Sequence, residues 1–186
     1  MSKDSPKQWF NLEERFYNDL DQQLLSKLRA EQANTDTAEA IMRVAGINDQ
    51  KLAEHIAGIG VTVETLTAFR LVPLVAVAWA DDLMEENERY VILQAAEKSG
   101  IKQGDSAMDL LKAWTSKRPP SDLIDAWCEY AKSLSMSLSG EMRTVLKKEI
   151  LEQVHTVAQS AGGVLGFGSV SKSEQTMINT IEKALG

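Results

Sequence analysis

The sequence predicts an all-α protein, a compact multi-helix bundle, and three observations carry that expectation. Apolar residues recur at spacings of three and four over most of the chain, capping and stop residues punctuate those runs, and no segment alternates with the period of a strand. The chain has 186 residues, 44% of them hydrophobic, enough to bury one sizeable core.

Trp9, Phe10, Leu12, Phe16, Tyr17, Leu20, Leu24, Leu25 and Leu28 form one face of an amphipathic helix, which sets residues 1–33 apart from a helical domain over 34–186. The polar run Asn34-Thr35-Asp36-Thr37 offers N-caps for a short helix through Ile41, Met42 and Val44 that Gly46 ends. Asn48 is placed to cap the next, with Leu52, Ile56 and Ile59 inward and a stop at Gly58 or Gly60. Between Thr62 and Ala80, β-branched residues and Pro73 would also suit a buried strand. Length favours a broken helix, with Pro73 opening the second half where its missing N–H is no loss.

Glu85 to Ser99 is expected as a helix with Tyr90, Val91, Leu93 and Ala96 on its inner side and Gly100 closing it. Asp105 to Ser116 makes another, ended before Pro119 and Pro120. Ser121 and Asp122 start the next, whose stripe is Leu123, Ile124, Trp127, Tyr130, Ala131 and Leu134, and the serines from Ser133 to Ser139 read as its frayed end. A long helix from Glu141 to Ala161 is expected to turn Met142, Val145, Leu146, Ile150, Val154, Val157 and Ala158 inward. Ser171 and Glu174 have capping-box spacing, so a last helix runs from about Lys172 to Leu185. The total is about nine helices.

Composition narrows the function classes. Lys and Arg number 20 against 27 Asp and Glu, a net charge of −7 that disfavours nucleic acid and anionic lipid. Cys128 is the single cysteine, so neither an intramolecular disulfide nor a C-x-x-C metal or redox pair can form, in keeping with a cytoplasmic protein. The N-terminus becomes charged before any secretory apolar run develops, and the longest apolar stretch, Leu71 to Ala80, is far shorter than the roughly 20 residues that span a bilayer.

The densest chemical feature lies where two apolar helices meet: Asp81, Asp82, Glu85, Glu86 and Glu88. Asp81, Asp82, Glu85 and Glu88 would give hard-cation oxygen ligands from one junction. The same acids would equally offset a helix dipole and accept its free N–H groups, and the EF-hand ladder is absent. His55 and His155 have no ligand partner at helical spacing, Cys128 beside Trp127 reads as a core thiol, and no serine sits in a G-x-S-x-G turn. No catalytic residue is assigned, and a non-enzymatic protein is expected. Gly162, Gly163, Gly166 and Gly168 lack the Walker lysine, so a phosphate cradle is not expected there. Trp9, Trp79, Trp114 and Trp127 occupy apolar helical positions and are expected to pack in the core.

The sequence ADDLMEENE, from Ala80 to Glu88, resembles the helix-turn-helix centre of the TerB-like tellurite-resistance family through Asp81, Met84 and Glu88, with Ser99-Gly100-Ile101 closing the second helix. Where the family usually has Gly after the first Asp, this chain has Asp82. The resemblance covers Leu71 to Ile101 well and the rest loosely. It implies a compact helical domain acting in stress response or binding, with a divalent cation (calcium, magnesium or zinc) at the acidic turn. Aligning Glu174 with Glu88 sets Phe167, Gly168, Val170 and Ser171 opposite Asp81, Asp82, Met84 and Glu85, so two related helix-turn-helix units are expected. In the second, Phe167 replaces the carboxylate and Gly168 supplies the permissive turn, which therefore folds without metal. The alternative function is a protein-interaction or oligomeric scaffold, with a protein partner or a second copy on an apolar face and a purely structural acidic turn.

Overall fold

The computed structural model describes residue 30 and residues 33–161 and 170–186. Among these residues every regular element is a helix. α1 covers 33–45, followed by α2 (Gln50–Gly58), α3 (Leu66–Phe69), α4 (Val72–Ala78), α5 (Glu86–Lys98), α6 (Ser106–Ser116), α7 (Asp122–Ser137), α8 (Gly140–Ser160) and α9 (Lys172–Leu185). None is long and apolar enough to cross a membrane. The expected N-terminal helix over Trp9–Leu28 and the glycine-rich stretch with Phe167 lie outside the described residues.

Local chemistry sets most boundaries. Gly46 at φ 68° ends α1 by taking a left-handed conformation that residues with a Cβ resist. The expected caps at 34–37 lie inside the helix instead, where the Thr37 hydroxyl donates to the Ala33 carbonyl at 2.8 Å. α2 is capped by Asp49 rather than Asn48, because the Asp49 carboxylate accepts from the N–H groups of Lys51 and Leu52 at 2.9 and 3.2 Å. The apolar stretch from Thr62 breaks into α3 and α4 as its proline suggested, with Pro73 in the first turn of α4.

α4 is the axis of the molecule: VPLVAVA is buried at six of its seven positions and packs against α5, α7, α8 and α9. A helix apolar on every side has no solvent face and must be enclosed. Phe69, Ile92, Met108, Leu111, Trp127, Ile178 and Ile181 complete the core with it, and Phe69 meets Tyr130 in a tilted ring contact at 5.7 Å. Trp114 and Trp127 are buried as expected, and Trp79 is half-buried, its indole N–H donating to the Trp114 carbonyl at 2.8 Å.

Two expected inner faces are corrected. On α5 the buried apolar residues are Ile92 and Ala96, while Tyr90 is 64% exposed. On α8 the core takes only Val154, Val157 and Ala158 from the second half; Met142 and Val145 stay 59% and 52% exposed. The apolar stripe of α8 is continuous in sequence, but only its second half is enclosed.

Candidate functional site

The acidic junction is an elbow between α4 and α5. After Trp79 closes α4, the Asp82 N–H donates to the Trp79 carbonyl at 3.1 Å and Asp82 takes φ 67°, the one positive φ of a non-glycine among the described residues. This is the position where the resemblance leads one to expect glycine, and a left-handed backbone is the physical reason. Asp81 accepts the Leu83 N–H at 3.2 Å, bracing the turn from its other side. The Asp82 carboxylate is turned away to an ion pair with Arg118, beyond the end of α6.

Glu85 and Glu88 start α5. The Glu85 N–H donates to Glu88 Oε2 at 2.9 Å, and the Glu85 carboxylate faces the N–H of Glu88 in return, completing a capping box. Glu86 points to solvent. Glu88 is only 2% exposed, and its pKa is pushed up to about 7. Burial is the main cause; the Glu85 N–H opposes it, and repulsion from Glu174, Asp81 and Glu85 reinforces it.

Glu174 belongs to the opposite helix start. The Ser171 N–H donates to Glu174 Oε2, the Glu174 N–H donates to Ser171 Oγ at 3.2 Å, and Glu174 is 3% exposed. The two capping boxes occupy the positions that the internal alignment paired, and their buried glutamates lie within electrostatic reach of each other. Of the four predicted site residues, the fold gathers Asp81, Glu85 and Glu88 into one electrostatic group and diverts Asp82. It adds Glu174, which sequence analysis treated only as a cap although its alignment with Glu88 was the available signal. Arg118 had no such signal, because nothing in local spacing links it to a turn 36 residues earlier.

As they stand, these side chains are not a complete ligand set. Among the described residues no three His, Cys, Asp or Glu side chains are grouped to hold an ion. Were a hard cation held here, Glu88 and Glu174 would be its buried oxygen donors and water would supply the remaining positions, an arrangement magnesium in particular accepts. Asp82 does not fit while Arg118 holds it.

The other candidates take up separate places. His55 pairs with Glu129 at 3.3 Å on the surface where α2 meets α7, and His155 is half-buried on α8. Cys128 is half-buried on α7, where burial pushes its thiol up and so lowers its thiolate content.

One surface was not legible in the sequence. A groove of about 660 Å³ lies between α7 and the first half of α8, floored by Trp127, Tyr130 and Leu134 and walled by Met142, Val145 and Ile150. Ala45, at the end of α1, also borders it. Comparison of the chain with family models, curated proteins and solved structures finds no match in any of the three.

Proposed function

We propose that this protein is a non-enzymatic, TerB-like binding module that takes a hydrated divalent cation of the magnesium or calcium type at the elbow, beside Glu88 and Glu174. The observation that carries this reading is that two buried carboxylates, one from each helix start, lie within electrostatic reach of each other, with Asp81 and Glu85 adding to the same negative field. Like charges in a site of low exposure call for a proton or a cation between them. The motif Asp81, Met84, Glu88 and the left-handed residue where the family has glycine support the same assignment.

Calorimetric titration of the full chain at pH 7.5 with magnesium, calcium, manganese and zinc tests it. A saturable heat accompanied by proton release is expected, lost in Asp81→Asn/Glu88→Gln and in Glu174→Gln. Because the cation displaces the Glu88 proton, affinity should fall by up to about tenfold for each pH unit below 7. No saturable heat with any of the four ions removes the reading.

A second reading, a protein-interaction scaffold whose elbow is only a joint, is favoured by the apolar groove and by the protein hydrogen bonds and ion pair that Asp81, Asp82 and Glu88 already have. In that case the Glu88→Gln and Glu174→Gln variants bind and assemble as the native chain does.

A further inference from the structure

The first half of α8 breaks the pattern of the molecule. From residue 140 to 151 no position is fully buried, yet Met142, Val145, Leu146 and Ile150 follow one another at spacings of three, one and four along one helical stripe. Across the groove, α7 offers Trp127, Tyr130 and Leu134, so both walls are apolar. A trough of that composition, about as long as three helical turns, suits the apolar face of an amphipathic helix.

The sequence offers a segment suited to it. Trp9, Phe10, Leu12, Phe16, Tyr17 and Leu20 recur at the spacing of one helical face, an aromatic-rich apolar pattern within the 29 residues that precede the described region. We propose that the stretch from Trp9 to Leu20 seats in the groove between α7 and α8 of the same molecule and covers the exposed stripe of α8.

Reach permits it. Ala33 and Ala45 are the first and last residues of α1, about 18 Å apart at 1.5 Å per residue, and Ala45 borders the groove. The twelve residues from Asp21 to Gln32 span about 40 Å when extended, enough to return along α1 to that end. Charge selects this occupant over a second copy. The first 29 residues carry five basic and five acidic side chains, so the whole net charge of −7 resides on the remainder. A neutral segment approaches the body without net repulsion, whereas two bodies repel. Aromatic anchors in an apolar trough are also the residues that contribute most to such contacts. The inference is independent of the cation reading, because the groove and the elbow share no residue.

Hydrogen–deuterium exchange on the full chain, with two variants, tests it. Phe16→Asp alters only the segment; Val145→Asp alters only the groove, at a position already 52% exposed, so the bundle should fold in both. Phe16→Asp is expected to speed amide exchange over residues 140–150 by about tenfold or more, and Val145→Asp to do the same for residues 9–20, with exchange in α4 unchanged as the control for folding. Light scattering should give a monomer at all concentrations. Random-coil exchange over residues 9–20 in the native chain would overturn the proposal, as would no effect of Phe16→Asp on residues 140–150. Protection that rises with protein concentration alongside a doubled mass would assign the groove to a second copy. Protection of the α8 stripe only when another protein is added would assign it to a foreign partner. Either result would overturn the proposal.

Discussion

Asp82 holds a left-handed backbone at φ 67°, a conformation that costs a residue with a β-carbon roughly 1–2 kcal/mol and that Asp tolerates better than most. Its ion pair with Arg118 is largely exposed and therefore contributes little. Asp82→Gly is accordingly expected to match or slightly exceed the native stability and Asp82→Ala to lose about 1 kcal/mol, read from urea midpoints. Glu88 gives a second prediction at this scale. Its carboxyl titrates near 4.5 when unfolded and near 7 when folded, so between those values the folded state binds the extra proton and stability falls as pH rises. Above pH 7 the whole penalty is present. Glu88→Gln keeps an acceptor for the Glu85 N–H and removes the charge, so in the presence of a chelator it should lack this decline; parallel pH profiles for the two proteins would refute the burial argument. The acids themselves were legible as a cluster, because charge between apolar runs is visible in one dimension. Their partition was not, because Arg118 and Glu174 reach the elbow only through tertiary folding.

Helices were the most legible elements, and caps explain both the successes and the errors. The Ser171–Glu174 box was readable because the two residues satisfy each other's backbone groups across three positions, whatever lies around them. Ser171→Ala is expected to cost about 1 kcal/mol and to fray the start of α9, measured by thermal unfolding and by exchange at the first amides of that helix. The Asn34–Thr37 signal failed because tertiary packing of Ala38 and Ile41 carries α1 through it, and a polar side chain inside a helix can bond back to the preceding turn. α8 shows a different boundary of sequence reasoning. Its periodicity correctly identifies which residues share a face, but whether that face is enclosed depends on how closely neighbouring helices pack on it, and α7 leaves a groove along residues 142–150.

In the whole molecule, the all-helical bundle follows from α4, a seven-residue apolar rod with α5, α7, α8 and α9 packed around it. Truncating Leu74, 1% exposed, to Ala should cost about 2–5 kcal/mol in denaturant unfolding. Mutations of exposed residues such as Arg70 should stay within about 0.5 kcal/mol. A helix of this length would melt at once in water by itself, since nucleation alone outweighs so few hydrogen bonds. Its order is lent entirely by the four helices that wrap it. Removing any one wrapper wets the rod, so no partly unravelled form can keep it intact. This seven-residue helix should therefore be the last to take up deuterium, its amides opening only when the entire chain lets go.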